Sequence, residues 1–220
     1  MLEAILFDCD GTLVDSEALH FECWQHILAP YQIHYDEAEF CHLFSGKPTL
    51  QAANYIIDQH HLHISAVRLA EQKNEFFAQY VETHLPPLLP FAKEVLQLAK
   101  DSPLSVALVT GSAKGEVMPI LKGHGLVDYF EVIVTKDDVV KPKPDAEPYL
   151  LGLKQLNKQG AKGVAIEDTC TGLTSAKGAN LIAIAVPNAH SQLQDLSLAD
   201  HKVDNLMAAW QLIVPMLANT

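Results

Sequence analysis

The sequence predicts an α/β fold in which a doubly wound parallel sheet carries an inserted all-helical segment. Five short apolar runs are nearly continuous, which is typical of strands covered by helices on both faces. Stretches with helical spacing separate the later runs, and such alternation indicates βαβ units with right-handed crossovers. A long strand-free stretch after the first run predicts the insertion.

The first strand is predicted at Ala4–Phe7, where four apolar residues stand together near the start of the chain. The remaining apolar runs predict four more strands, at Val106–Val109, Val132–Val134, Val164–Ile166 and Leu181–Val186. Helical spacing predicts helices beside these runs, at Lys93–Lys100, Gly115–Gly123, Tyr149–Asn157 and Gly172–Ala179. Together these elements indicate one Rossmann-like sheet with helices on both faces.

The stretch between residues 17 and 84 has a different pattern. Leu19, Cys23 and Trp24 begin a series of apolar residues at helical intervals, and the stretch is too long for a loop. A proline-rich segment beginning at Pro86 suits a stiff return to the sheet. We therefore expect a core and an inserted helical domain, formed by residues 1–15 and 86–220 and by residues 16–85, respectively.

The composition excludes several classes of function. With 27 acidic residues against 15 lysines and arginines, the formal charge is −12, which argues against binding to nucleic acids or to anionic membrane surfaces. The chain has no apolar run long enough to span a bilayer, and its start lacks the basic segment of a signal peptide, so we expect a cytoplasmic protein. The four cysteines form no close pair, so neither disulfides nor a zinc site is expected.

Polar residues follow four of the five predicted strands. In open α/β sheets, ligands bind beyond the carboxyl ends of the strands. The residues in these positions are Asp8, Asp10, Gly11 and Thr12 after the first strand, Thr110, Gly111 and Ser112 after the second, Lys141 after the third, and Glu167 and Asp168 after the fourth. Although they lie far apart in the sequence, the fold should bring them to one edge of the sheet.

The acidic residues of this set predict a cation site. Asp8 and Asp10 are two positions apart, so on a continuing strand their side chains would share a face. With Asp168, and with Glu167 as a further candidate, they would concentrate negative charge that only a cation can neutralise. An oxygen-only set of this kind suits Mg²⁺, which retains waters and accepts a substrate phosphate.

The remaining residues of the set suit a phosphoryl group. Lys141 would offer a fixed positive charge, although Lys143 in the same Lys-Pro-Lys-Pro segment is a rival for this position. The hydroxyl of Thr110 and the amides of Gly111 and Ser112 would open a helix, and helix N-termini bind anions. Carboxylates can act as nucleophiles towards phosphorus, and a second acid two residues away could protonate the leaving oxygen. The combination predicts phosphoryl transfer.

The complete set resembles the four motifs of the haloacid dehalogenase (HAD) superfamily, over essentially the whole chain. These motifs are Asp8-x-Asp10-Gly11-Thr12, the hydroxyl of Thr110, Lys141-Pro142 and Glu167-Asp168. The resemblance implies that Asp8 is the nucleophile and Asp10 the general acid and base. It implies that Mg²⁺ is held by Asp8, the carbonyl of Asp10 and Asp168, with Glu167 directly or through water. It also implies that Thr110 and Lys141 bind the phosphoryl group, with Gly11, Thr12, Gly111 and Ser112 around the substrate.

The insertion is similar to the helical cap of the β-phosphoglucomutase-like branch. By this resemblance, His20 is a candidate substrate-binding residue near the hinge, and Lys73 is a candidate for binding the distal part of the substrate. The mutases carry an arginine on a cap loop, where this chain has Thr49, and Lys47 is the nearest alternative. This difference favours a phosphatase over a mutase.

The sequence therefore predicts a Mg²⁺-dependent phosphatase that acts on a small phosphorylated metabolite, such as a sugar or polyol phosphate, through an aspartyl-phosphate. An isomerase of the phosphoglucomutase kind is the alternative with the same core chemistry. A non-enzymatic phospho-switch and an inactive binding module are remoter alternatives. The oligomeric state is left open, with a monomer as the starting expectation.

Overall fold

The structure, a computed structural model, describes residues 2–160 and 162–218. Six parallel strands form one sheet in the order β3-β2-β1-β4-β5-β6. The strands are β1 (Ala4–Phe7), β2 (Ser105–Val109), β3 (Val132–Val134), β4 (Gly163–Glu167), β5 (Ile182–Ala185) and β6 (His201–Lys202). The five predicted strands are confirmed to within one residue at each end, and β6 is an addition.

The central strand β1 determines where the polar residues emerge. Phe7, its last residue, is level with Leu108 of β2 and with Ile166 of β4. Because all three strands run in the same direction, the residues that follow them leave the sheet at one edge. This register places Asp8 beside Glu167, which is the last residue of β4.

Four helices form an insertion after β1: α1 (Glu17–Leu28), α2 (Glu37–Phe44), α3 (Thr49–His60) and α4 (Ala66–Tyr80). Side-chain caps define two of their starts, since Asp36 accepts a hydrogen bond from the N–H of Glu39 (2.8 Å) and Ser65 from the N–H of Arg68 (3.2 Å). This all-helical insertion is the predicted cap.

Five further helices cover the sheet: α5 (Ala92–Lys100), α6 (Lys114–His124), α7 (Glu147–Gln155), α8 (Cys170–Gly178) and α9 (Leu206–Ala218). Alternate residues of the strands face opposite sides, so Ile5 and Phe7 join one apolar cluster while Ala4 and Leu6 join the other. The first cluster includes residues of α5, α6 and α9, and the second includes residues of α7 and α8. The sheet is therefore doubly wound, as predicted.

The cap has an apolar cluster of its own and also packs on the core. Trp24, Phe40 and Leu69 belong to the cluster inside the cap. By contrast, Cys23 of α1 and Phe77 of α4 are fully buried in the cluster of the core. Helices α1 and α4 therefore connect the two parts.

Two elements of the core were not predicted. Strand β6 has only two residues, both polar, and it is recognised by its pairing with β5 rather than by an apolar pattern. Helix α9 lies in a segment for which the sequence predicted no element. In the described part of the chain, no helix combines the length and the apolar character that crossing a membrane requires.

Candidate active site

Asp8 lies at the carboxyl edge of the sheet, directly after β1. Its N–H donates a hydrogen bond to the carbonyl of Ile166 (3.0 Å), which extends the pairing with β4 by one residue. Its carboxylate is only 6% exposed and accepts a hydrogen bond from Nζ of Lys143 at 2.7 Å. The next residue, Cys9, points into the apolar core. Because successive side chains alternate in direction, Asp8 faces the site and Cys9 faces the core.

The lysine of the site is Lys143, so the prediction of Lys141 was wrong. Lys143 is buried and pairs with the carboxylates of Asp8 (2.7 Å) and Glu167 (2.5 Å). Lys141 is exposed, and its backbone N–H donates to Glu147 at the start of α7. The two lysines both precede a proline, so their local sequence does not distinguish them; the path of the loop into α7 does.

Three buried carboxylates form an acidic cluster at this edge. One oxygen from each of Asp8, Glu167 and Asp168 lies within 4.8 Å of the others. Burial, with repulsion from Glu167 and Asp10, raises the pKa of Asp8 to about 7 despite the attraction of Lys143. Burial and the charges of Asp8 and Glu167 likewise raise the pKa of Asp168 well above its usual value. One ammonium facing three carboxylates leaves an excess of negative charge, so these oxygen donors fit a bound Mg²⁺.

Glu167 is held firmly in this cluster. Its Oε1 accepts hydrogen bonds from Nζ of Lys143 and from the hydroxyl of Tyr149 (2.6 Å). Its other side rests against the first turn of α8, where a Cβ on Gly172 would lie 1.9 Å from Oε2. The glycine at this position is therefore required by the close approach of the carboxylate.

A fully bonded asparagine supports Asp168. Nδ2 of Asn188 donates to Oδ2 of Asp168 (3.0 Å) and to the carbonyl of Gly11 (2.8 Å). Its Oδ1 accepts from the N–H groups of His190 (2.7 Å) and Ser191 (3.1 Å), which leaves one orientation of the amide. Thr12, which is 1% exposed, contacts the other oxygen of Asp168 at 3.5 Å.

Gly11 approaches the same carboxylate closely. Its φ is +80°, and a Cβ there would lie 2.4 Å from Oδ2 of Asp168. Both the backbone conformation and the lack of space favour glycine. The structure therefore places Gly11 and Thr12 against Asp168, as supports of the acidic cluster.

Asp10 lines the same cavity but does not belong to the acidic cluster. Its Oδ1 accepts a hydrogen bond from the hydroxyl of Ser16 (2.7 Å), and its Oδ2 accepts from the hydroxyl of Ser112 (2.7 Å). The hydroxyl of Thr110 is 3.4 Å from the same Oδ2. Hydroxyl groups, not the lysine that pairs with Asp8, therefore orient the carboxylate of Asp10.

The segment after β2 differs from its prediction. Helix α6 begins at Lys114, with Ala113 as its N-cap, so Thr110 does not open it. The N–H of Ser112 donates to the hydroxyl of Thr110 (3.0 Å), so that amide is already used. The N–H of Ala113 donates a hydrogen bond to the carboxylate of Glu116 (2.7 Å). The expected anion site at the start of this helix is therefore corrected to a short loop that contributes hydroxyl groups.

A cavity of about 330 Å³ lies between the acidic cluster and the cap. Its lining brings together eight of the predicted site residues: Asp8, Asp10, His20, Lys47, Lys73, Gly111, Ser112 and Asp168. Residues of both the core and the cap thus face one partly open cleft, large enough for a small organic phosphate. The cavity is the candidate active site.

His20, which is partly exposed, and the buried Lys73 form a pair in its wall. Nζ of Lys73 lies 2.8 Å from Nδ1 of His20, and both side chains lie against the ring of Phe77. Burial and the nearby Lys73 lower the pKa of His20 well below its usual value, and burial lowers the pKa of Lys73. The histidine is therefore neutral near pH 7, with its Nδ1 as an acceptor.

Several cavity residues were missed in the sequence. Glu17 of α1 lines the cavity, as do Lys136 and Glu116, whose charged atoms are 3.4 Å apart. A signal existed for two missed residues, because Lys136 follows β3 closely and Asn188 follows β5. For Glu17 there was none, since its position depends on how the cap packs.

Comparisons with known proteins find relatives that cover most of the chain. The sequence model of the haloacid dehalogenase-like hydrolases matches residues 5–186. A phosphorylated carbohydrates phosphatase from Thermotoga maritima is 32% identical over 185 residues, which cover 82% of each chain. The crystal structure of CbbY from Rhodobacter sphaeroides in complex with phosphate is 27% identical, covers 94% of this chain and 95% of its own, and has a TM-score of 0.80.

A β-phosphoglucomutase from Clostridium difficile has the same fold. Its structure superposes with a TM-score of 0.79 at 23% identity and covers 98% of this chain and 96% of its own. The agreement extends over the sheet and the helical insertion alike.

Proposed function

Because the chain belongs to the haloacid dehalogenase-like hydrolases and is a phosphoric monoester hydrolase, we propose that its substrate is a small sugar or polyol phosphate and that Asp8 is its nucleophile. The observation that carries the proposal is the position of Asp8. Its carboxylate lines the cavity and is paired with a buried lysine at 2.7 Å. The phosphorylated carbohydrates phosphatase among the relatives supports the class of substrate.

We propose Mg²⁺ as the cofactor. The residues that would hold it are Asp8, Asp168 and the carbonyl of Asp10, with Glu167 directly or through water. Bound there, the ion would supply positive charge against the phosphoryl oxygens and neutralise the acidic cluster.

The chemical steps fall to two aspartates. A carboxylate oxygen of Asp8 attacks phosphorus, forming the aspartyl-phosphate as the bond to the substrate oxygen breaks. Asp10, which Ser16 and Ser112 orient, gives its proton to the leaving oxygen. It then takes a proton from the water that attacks the phospho-enzyme, and phosphate is released from Asp8. Lys143 and Thr110 stabilise the phosphoryl group during both steps.

The cap provides the distal part of the site. We propose that His20, Lys47 and Lys73 contact the part of the substrate beyond the phosphoryl group, because all three line the cavity. The cap side of the cavity would also limit the access of bulk water to the leaving oxygen. In this proposal the cap comprises residues 16–85 and the core comprises residues 1–15 and 86–220.

Replacing the nucleophile tests the mechanism. We expect Asp8→Asn to abolish release of p-nitrophenol from p-nitrophenyl phosphate in the presence of Mg²⁺, because an amide cannot attack phosphorus. Asp58→Asn is the matched control, since Asp58 is exposed on α3. Normal turnover by Asp8→Asn, with its fold verified by circular dichroism, would refute the mechanism.

A product assay distinguishes hydrolysis from isomerisation. With β-glucose 1-phosphate, a phosphatase releases free phosphate and glucose. If glucose 6-phosphate were the main product, the phospho-enzyme would be returning its phosphate to the sugar, and the alternative isomerase function would replace the proposed one.

A further inference from the structure

One side chain outside the cavity joins the core to the cap. Gln194 follows β5, and its Oε1 accepts a hydrogen bond from the N–H of Cys170 (3.0 Å), the first residue of α8. Its Nε2 donates to the carbonyl of Ser45 (3.3 Å), in the loop between α2 and α3. A single amide therefore spans the two parts of the molecule, using an acceptor on one side and a donor on the other.

The cap segment at this contact, residues 45–47, is held on more than one side. Gly46 has φ +72°, and a Cβ there would lie 2.7 Å from Cγ2 of Thr169 and 3.1 Å from Nε2 of Gln194. The hydroxyl of Ser45 donates to the carboxylate of Glu17 at 3.0 Å. The segment is thus seated on the core with little space to spare.

Segment 45–47 forms a wall between two cavities. Gly46 and Lys47 line the cavity that contains Asp8, and they also line a groove of about 770 Å³ on the outer side. Gln194 lines the groove and not the inner cavity. Movement of the segment away from Gln194 would join the two spaces and displace Lys47.

We propose that Gln194 is a positioning residue that holds segment 45–47 across the active site and thereby selects for substrates that extend beyond the phosphoryl group. The inference rests on the proposed function in one respect, the contact of Lys47 with the distal part of the substrate. Gln194 does not touch the reacting atoms; it acts through the segment that it binds.

The chemistry of the contact defines the variants. Gln194→Ala removes both hydrogen bonds. Gln194→Glu keeps an acceptor for the N–H of Cys170 but places a second acceptor against the carbonyl of Ser45, so only the bond to the cap is lost. Gln192→Ala is the matched control, because Gln192 lies in the same segment, is exposed and donates only within it, to Ala189 at 3.2 Å.

Two substrates of different length give the kinetic readout. Acetyl phosphate ends close to its phosphoryl group, whereas the best substrate among fructose 1-phosphate, glucose 6-phosphate and ribose 5-phosphate reaches the cap. We expect both Gln194 variants to raise KM for the sugar phosphate about fivefold, as the loss of one hydrogen bond predicts, with kcat/KM for acetyl phosphate nearly unchanged. Gln192→Ala should match the wild type with both substrates.

Hydrogen exchange followed by mass spectrometry gives the structural readout. Peptides that cover residues 42–51 should exchange faster in both Gln194 variants than in the wild type or in Gln192→Ala. Equal losses with both substrates, or wild-type kinetics and exchange in Gln194→Glu, would overturn the inference. If the wild type hydrolysed acetyl phosphate but no sugar phosphate, the proposed substrate would fail, while the exchange experiment would still decide whether Gln194 holds the segment.

Discussion

Lys143 balances part of the negative charge that the active site concentrates. It is 8% exposed and forms ion pairs with Asp8 and Glu167. Burial alone would lower the pKa of its ammonium group, but the two carboxylates raise it above its usual value. The side chain therefore remains charged at any pH at which the enzyme could work.

The two neighbouring lysines provide a matched pair of variants. We expect Lys143→Met, which keeps most of the side-chain volume, to lower kcat/KM for p-nitrophenyl phosphate about a hundredfold or more, since a charge facing the phosphoryl group is lost. Lys141→Met should stay close to the wild type because Lys141 is exposed. Steady-state kinetics measure both, and comparable losses in the two variants would contradict the assignment.

The position of a site residue could be predicted where the residue directly follows a strand. Asp8 and Asp168 were assigned correctly to one edge of the sheet, because parallel strands present their carboxyl ends together. Lys143 could not be separated from Lys141, since only the loop between β3 and α7 decides which side chain turns inward. The partners of Asp10, Ser16 and Ser112, likewise depend on side-chain directions that no spacing reveals.

Among the elements, the first turn of α8 is shaped around Glu167. Thr169 caps the helix by accepting a hydrogen bond from the N–H of Gly172 (3.1 Å), and Gly172 leaves room for the carboxylate. Helix propensity alone favours alanine over glycine by about 1 kcal/mol. At position 172, by contrast, the lack of space for a Cβ favours glycine.

Alanine substitutions at two helical glycines separate these effects. We expect Gly172→Ala to lower both the melting temperature and kcat, because its Cβ would displace Glu167 from Lys143 and Tyr149. Gly115→Ala, in α6, should be neutral or stabilising by up to about 1 kcal/mol, since its Cβ would meet only Ala78, at 4.0 Å. Differential scanning calorimetry and the phosphatase assay measure the two effects. A stabilised, fully active Gly172→Ala would show that glycine is not required at this position.

An element could be predicted where its burial produces a pattern of apolar residues in the sequence. Strands β1 to β5 are covered on both faces, so each appears as a continuous apolar run. Strand β6 is short and polar, and it forms because its backbone pairs with β5. Helix α2 has only eight residues and was not distinguished within the insertion, although its buried residues Phe40, Cys41 and Phe44 stand at helical spacing.

At the scale of the whole molecule, the acidic cluster should couple stability to pH and, if the proposed Mg²⁺ binds there, to the metal. Without a metal, the folded protein holds protons on Asp8 and Asp168 that the unfolded chain releases near pH 4. Because the native state then binds more protons than the unfolded state, the free energy of unfolding falls as pH rises through this range. A cation that binds the ionised carboxylates should offset that loss.

Thermal melts in EDTA should therefore show that the melting temperature of the wild type decreases, relative to that of Asp8→Asn, between about pH 5 and about pH 8; His20, whose lowered pKa acts in the opposite direction, is common to both proteins. Added MgCl₂ should raise the melting temperature more at the upper end of this range, because binding requires ionised carboxylates. Asp8→Asn removes one of the titrating groups and should flatten the decrease in EDTA. A difference between wild type and Asp8→Asn in EDTA that stayed constant over this range would contradict the prediction.

The placement of the four cysteines provides a native reporter of cap movement. Cys9, Cys23 and Cys41 are buried, and burial raises the pKa of each thiol, to about 12 for Cys23. Cys170 is half-buried at the start of α8 and faces the groove beside segment 45–47. A maleimide fluorophore would thus encounter Cys170 first, at the boundary between core and cap. The unaltered chain already carries a labelling position from which opening and closing could be followed in single molecules.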